Sequence, residues 1–189
     1  MTKVLAISGS LRSDSFNSKL LRNAVEFFSD DVEIEILDGL KEIPPYDEDD
    51  DGEGASEAVH ALRAAFAGAD AVFISTPEYN SSVPGQLKNA LDWVSRPLAT
   101  NPLRNKPTVV VGASTGAFGA VWAQAELRKV LAAIGARVVE AEVAVGHAPT
   151  RFDEDGTLVD EDLREQLGKV VEALVSAVAE RQELARTAA

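Results

Sequence analysis

Short runs of β-branched and apolar residues alternate along this chain with longer stretches whose apolar positions recur every three or four residues. Residues 4–8 read VLAIS, apolar at nearly every position, as in a strand covered on both faces. In residues 17–29, Leu20, Leu21, Ala24, Val25 and Phe28 fall at helical spacing. Residues 32–37, VEIEIL, alternate strictly, which predicts a strand with one wetter face near a sheet edge. Ser56 is placed to cap a helix that runs to Ala67 and stops at Gly68, with Val59, Leu62 and Phe66 on one side. AVFIST at 71–76 is a third strand. A helix over 84–95 follows, with Pro84 in its first turn and Leu87, Ala90, Leu91 and Val94 as its inward stripe. Pro107 precedes a fourth strand at 108–113, and a helix over 120–134 ends at Gly135. A fifth strand is predicted at 137–141. The last helix, 160–183, is capped by Asp160 and buries Leu163, Leu167, Val170, Val171, Leu174 and Val178, and the tail after Arg186 is expected to fray.

Five strands thus alternate with five helices, which predicts one α/β domain over residues 1–189 with a parallel sheet. Right-handed crossovers put helices on both faces of such a sheet. The strand order must reverse somewhere, and ligands bind beyond the carboxyl ends of the strands at that reversal. No internal repeat or Gly/Ser linker divides the chain. Residues 38–57, with Pro44–Pro45 and a run of acids, read as an exposed loop. The acids at 47–51 are read as a solvated face, because they lack the spacing of a calcium loop.

Composition narrows the chemistry. Cysteine is absent, which excludes disulfides, thiolate catalysis and thiolate-held metals. The two histidines, His60 and His147, lie far apart, so no metal site is expected. The formal charge of −13 repels nucleic-acid backbones and anionic membranes, and no apolar run approaches the roughly 18 residues of a membrane span. A cytoplasmic protein without nucleic-acid or membrane partners is expected.

Unusual residues cluster after strands one, three and four. The first loop, SGSLRSDSFN at 8–17, offers the hydroxyls of Ser8, Ser10, Ser13 and Ser15, the Arg12 guanidinium, the Asn17 amide and the opening N–H groups of a helix. Hydroxyls, helix amides and a guanidinium together suit a phosphate dianion. The second, from 76 to 96, presents Tyr79 between Glu78 and Asn80, then Ser81 and Ser82, then Pro84–Gly85 opening a helix. A flat aromatic ligand can lie against such a strand end. The third, GASTGAFGA at 112–120, combines glycines with Ser114 and Thr115. Neither a G-x-G-x-x-G after the first strand nor a G-x-x-x-x-G-K-[ST] occurs, which disfavours dinucleotide and triphosphate folds of the common kinds. Flavin mononucleotide fits a site with a phosphate cage at one end and backbone-rich walls at the other. Trp93, further along its helix, is read as a packing or subunit-contact residue.

With GSLRSDSFN at 9–17 and PEYNSSVPGQLKNALDW at 77–93, the chain resembles the NADPH-dependent FMN reductases, a flavodoxin-like group that includes quinone, chromate and azo-dye reductases. The resemblance implies a three-layer sandwich with five parallel strands in the order 2-1-3-4-5. It implies that Ser10, Arg12, Ser15, Phe16 and Asn17 hold the FMN phosphate. Pro77, Glu78, Tyr79 and Asn80 line the flavin ring, with Ser81 nearby. Ser114, Thr115, Gly116 and Gly119 meet its far side or its ribityl chain. It also implies NADPH or NADH as donor, a small-molecule electron acceptor, and a homodimer or homotetramer. The loop at 44–53 is expected near the entrance.

No catalytic residue is named, because the hard chemistry belongs to the flavin. A hydrolase is disfavoured: there is no G-x-S-x-G elbow, and neither histidine stands in a triad context. The competing reading is a flavodoxin-type electron carrier that binds FMN through the same loops, and a weaker one is an interaction module without flavin.

Overall fold

A computed structural model describes residues 1–52 and 54–187. Strands β1 (Thr2–Ser8), β2 (Val32–Ile36), β3 (Ala71–Thr76) and β4 (Pro107–Ala113) are parallel, with β5 (Arg137–Val138) beyond β4. The order is β2-β1-β3-β4-β5, and a further pair, β6 (Ala144–Val145), lies beside the carboxyl end of β4. This is the flavodoxin-like three-layer α/β sandwich expected from the sequence, with its reversal between β1 and β3.

Alternation along the strands builds two cores. Val4 and Ala6, Ala71 and Phe73, and Val109 and Val111 face one layer, formed by α1 (Phe16–Val25) and α5 (Glu161–Thr187). Leu5 and Ile7, Val72 and Ile74, and Val110 face the other, formed by α2 (Glu57–Gly68), α3 (Gly85–Val94) and α4 (Val121–Ala133). Side chains on a strand point to opposite faces in turn, so each central strand feeds both layers and must be apolar throughout. At the edge, β2 keeps Glu33 and Glu35 outside, where Lys3 pairs with Glu35 at 2.7 Å.

The capping expectations hold: Ser56 Oγ accepts from Val59 N, and Asp160 Oδ1 accepts from Leu163 N at 3.1 Å. Two expectations do not. The first helix ends at Val25 rather than near residue 29, and the chain leaves it through single turns, with Phe27 N donating to Ala24 O. The fifth strand, expected over 137–141, is broken. After Val139 N donates to Thr108 O, the chain turns back on itself, with Ala141 N donating to Val139 O. It steps outward at Glu140–Glu142, where Arg128 holds Glu142 at 3.1 Å, and returns as β6. Buried Gln124 spans the gap by donating to the carbonyls of Val143 and Gly119. Helix α5 continues to Thr187. Residues 188–189 of the expected frayed tail, and Glu53 of the acidic loop, lie outside the described residues.

Candidate functional site

The loops after β1, β3 and β4 meet at one end of the sheet. They enclose a cleft of about 110 Å³ lined by Ser10, Arg12, Ser15, Phe16, Asn17, Pro77, Glu78, Tyr79, Ala113, Ser114 and Thr115. Gly9 makes the approach possible. Its N–H donates to Ser75 O at 2.8 Å, and a Cβ there would stand 2.8 Å from Leu87 Cδ2 and 3.3 Å from Pro77 Cδ. A larger residue would have to displace the end of the Leu87 side chain and crowd Pro77 of the second loop.

Ser15 caps α1: extended at φ −87° and ψ 130°, it accepts from Asn17 N at 3.2 Å through its hydroxyl. Among the described residues the amides of Phe16 and Ser18 meet no protein acceptor, and the Arg12 guanidinium meets neither a carboxylate nor a hydrogen-bond acceptor. Unpaired amides at a helix start, with a guanidinium held beside them, make an anion cradle. Ser8 and Ser13 do not join it. Ser8 Oγ accepts from Ser18 Oγ at 3.0 Å, and both serines face the opposite side of the loop.

Asn17 points inward. Its Nδ2 donates to Ala113 O at 3.0 Å, while its Oδ1 accepts from Ala113 N at 2.9 Å and from Ser75 Oγ at 2.9 Å. One buried side chain thereby pins the start of α1 to the ends of β3 and β4. The carboxamide of Asn17 is engaged with the protein's own groups, so its part in the cradle is to hold the other members in place.

In the second loop, Tyr79 and Ser82 exchange backbone hydrogen bonds around Asn80 and Ser81, whose φ values are +53° and +59°. Two successive left-handed residues make the mirror-type turn of a tight hairpin. Asn tolerates that conformation better than Ser. Pro77, Glu78 and Tyr79 line the cleft, and Asn80 and Ser81 form the turn beyond it. Tyr79 stands 49% exposed beside the opening. The Glu78 carboxylate reaches away to α4, accepting from Trp122 N at 3.0 Å and Ala123 N at 3.1 Å. That helix begins after Ala120, which has no side chain able to cap it, so Glu78 supplies the cap and leaves its backbone on the cleft.

In the third loop, Ser114 and Thr115 line the cleft and Gly116 and Gly119 lie behind it. Gly119, at φ +59°, is needed by the protein's own backbone: a Cβ there would fall 2.3 Å from the Ala144 carbonyl carbon. Gly116 O accepts from His147 N at 2.8 Å. Ala113 and Ser75 take part in the site without any signal in the sequence, since a main-chain partner and a buried strand serine carry no local pattern. Trp93 is a core residue, 1% exposed, with Nε1 donating to Pro44 O at 2.8 Å and its ring edge-on to Tyr46. His60 and His147 are exposed, and among the described residues no group of His, Asp or Glu gathers as a metal site.

The family model for NADPH-dependent FMN reductases matches residues 2–150. The chain belongs to that family. It is 42% identical over 173 residues to an NAD(P)H-dependent FMN reductase of Pseudomonas aeruginosa, covering 91% of this chain and 92% of the relative. It is 36% identical over 181 residues to a 2-hydroxy-1,4-benzoquinone reductase of Burkholderia sp., covering 95% and 98%. The solved structure of FerB, a flavoenzyme NAD(P)H:(acceptor) oxidoreductase from Paracoccus denitrificans, superposes with a TM-score of 0.86 at 34% identity, covering 95% of this chain and 98% of that one. As a family member the protein is a flavin-dependent oxidoreductase. The cradle fits FMN: the free amides and Arg12 match a terminal phosphate. The 110 Å³ hollow has room for such a group, and Pro77, Glu78 and Tyr79 line it from the second loop.

Proposed function

We propose that this protein is an NAD(P)H-dependent FMN reductase that passes electrons in two separate half-reactions to a small planar acceptor, with a quinone as the leading class. The observation that carries the reading is the convergence of three strand-end loops around a cradle of unpaired amides and one unpaired guanidinium. When bound, FMN would supply the redox chemistry, accepting hydride from the nicotinamide and releasing two electrons to the acceptor.

The chain's own residues do the rest. Ser10, Arg12 and Ser15, with the Phe16 and Ser18 amides, hold the phosphate, and Asn17 keeps their loop in register with β3 and β4. Pro77, Glu78, Tyr79 and Asn80 give the ring a backbone wall, with Ser81 setting the turn behind it. Ser114 and Thr115 face the ribityl chain or the far ring edge. Gly119 lets that loop pack against Ala144, and Gly116 holds it through its carbonyl, which accepts from His147 N. Backbone N–H groups fixed beside a ring that gains negative charge stabilise it without reorganising. Tyr79, exposed at the mouth, orients whichever planar substrate lies over the ring. No side-chain acid or base is assigned: hydride would pass directly from the donor to bound FMN, and the protons a quinone needs would come from solvent.

Tyr79 shares its end of the sheet with the exposed edge-to-face pair Phe118 and Trp122, 64% and 50% accessible, whose ring centroids stand 5.1 Å apart. These aromatics support assembly as a homodimer or homotetramer across this face. The charge of −13 and the lack of a membrane-spanning helix among the described residues support a cytoplasmic setting.

The test is anaerobic. NADPH or NADH is mixed with FMN-loaded protein, and the oxidised-flavin absorbance is followed. Rapid bleaching, reversed by a quinone, is expected. Flavin that stays oxidised with both donors would identify an electron carrier instead.

A further inference from the structure

On the far side of the loop after β1 lies a second hollow, of about 380 Å³. Its walls are that loop, the outer face of α1 and the 36–42 segment that follows β2. It opens at the carboxyl ends of β1 and β2, and only the loop crest separates it from the FMN cradle. Ser10 and Arg12 face both hollows.

Its charge sets it apart. Among the described residues, ten of the 18 lysines and arginines lie within 4 Å of a carboxylate, as an excess of acids makes easy. Of the eight that do not, three, Arg12, Arg22 and Lys41, line this hollow. Asp14 is close enough to the two arginines for them to help hold its carboxyl below the usual range. Its first partner, however, is Lys19, at 2.7 Å. Two carboxylates, Asp38 and Glu42, share the walls, so with Arg12 given to the FMN phosphate the lining is balanced, two cations against two acids, in a chain of net charge −13. Cations gathered in a concave site without carboxylate partners draw anions to it.

The remaining wall chemistry narrows the anion. Leu11 and Ile36, both about half exposed, offer apolar surface of the kind a base can cover. Asp38 sits just past the end of β2, facing the loop after β1. In doubly wound folds that bind dinucleotides, an acid at the end of the second strand meets a ribose hydroxyl, and an arginine nearby accommodates a 2′-phosphate. Here Arg22 and Lys41, neither within 4 Å of a carboxylate, stand in the same hollow as that acid, which favours a phosphorylated ribose over a plain one.

We propose that this hollow binds the phosphorylated adenosine end of the nicotinamide donor, with Arg22 and Lys41 meeting its 2′-phosphate. The donor then straddles the loop crest and carries its nicotinamide to the flavin edge on the other side. The inference rests on the reductase reading above and names the determinant that would make NADPH the preferred donor.

The experiment uses FMN-loaded protein and two probes, adenosine 2′,5′-bisphosphate and 5′-AMP, titrated calorimetrically into wild type and an Arg22→Ala/Lys41→Ala variant. Both substituted side chains are exposed and outside the FMN cradle. The bisphosphate should bind wild type roughly tenfold or more tighter than 5′-AMP, and the variant should lose about that factor while keeping its flavin. In turnover, the variant's KM for NADPH should rise and its KM for NADH should hold. Equal affinity for the two probes, no binding of either, or an unchanged bisphosphate affinity in the variant would overturn the assignment. Should the double variant misfold, Lys41→Glu alone carries the same test. Bisphosphate binding that behaves as expected while neither donor bleaches the flavin would keep this site and remove the reductase reading. Bleaching with unselective probe binding would do the reverse.

Discussion

Asn17 makes three buried hydrogen bonds, one donated and two accepted, with groups 58 and 96 residues away on two different strands. Truncation would strand the Ala113 amide and carbonyl and the Ser75 hydroxyl without partners. At roughly 1–3 kcal/mol for a buried polar group left unsatisfied, partly offset by relaxation, Asn17→Ala should lower unfolding free energy by about 3 kcal/mol in urea titrations. It should weaken FMN binding as the loops drift apart. Arg12 stands differently, exposed and without a protein partner, so its loss should leave stability alone. Arg12→Ala is expected to weaken FMN by about 2–3 kcal/mol, read as a dissociation constant raised roughly 30- to 150-fold. An unchanged constant would remove the phosphate from this loop. Ser81 shows strain of a third kind. A non-glycine residue at φ +59° sits in a region that costs L-residues about 1–2 kcal/mol, so Ser81→Gly should stabilise the protein by roughly 0.5–1 kcal/mol in the same titrations, once the added freedom of the unfolded chain is subtracted.

Helix α4 and the 77–83 segment exchange carboxylates. Glu78 caps the helix start, and Glu126, one turn further on, accepts from Ser82 Oγ at 2.6 Å and from Val83 N at 3.3 Å. Those two donors hold the Glu126 carboxyl below its usual range, the Ser82 hydroxyl most strongly. The wall offered to the flavin ring is thus fastened to a helix rather than left as a free hairpin. Glu78→Ala should cost about 1 kcal/mol of stability, as loss of a helix cap does, and loosen flavin binding more than Glu126→Ala. Lys106 links two other elements. Buried ahead of β4, its ammonium donates to the carbonyls of Phe66 and Ala69 at the end of α2. Desolvation, with Arg181 adding repulsion, lowers its pKa to about 8 from 10.5. Below about pH 8 folded and unfolded chains both carry this proton, and the burial penalty is present in full. Between about 8 and 10.5 the unfolded chain holds the proton more tightly, so the penalty shrinks as pH rises. Against Lys106→Met, wild type should therefore gain relative stability between pH 8 and 10, measured by urea melts at each pH.

The chain carries a net charge of −13, yet among the described residues its exposed aromatics, and three of the eight cations with no carboxylate within 4 Å, sit at the carboxyl end of the sheet. If that end is also where copies meet, Trp122→Glu should shift sedimentation from an oligomer toward the 20.1 kDa monomer. A wild type that sediments as a monomer would place no subunit on this face. Most of the architecture was legible from periodicity because burial on both faces makes β1, β3 and β4 continuously apolar and leaves β2 alternating. The fifth strand was not. Its break at Glu140–Glu142 is held by partners distant in sequence: Gln124 of α4 donates to Val143 O, and Gly119 packs against Ala144 with no room for a Cβ. The three loops, too, could be named from the strand-end rule, since position in an α/β sheet follows from element order.

Local pattern was enough for element order, for the two buried layers and for the loops that meet, because each depends on residues a few positions apart. The directions of the side chains within those loops were settled only on folding: Asn17 turns inward, Glu78 crosses to α4, and Ser13 faces the second hollow. Their partners or surroundings come from distant strands and helices, 44 residues away for Glu78 and 96 for Asn17 and Ala113, and no short-range pattern records such a meeting.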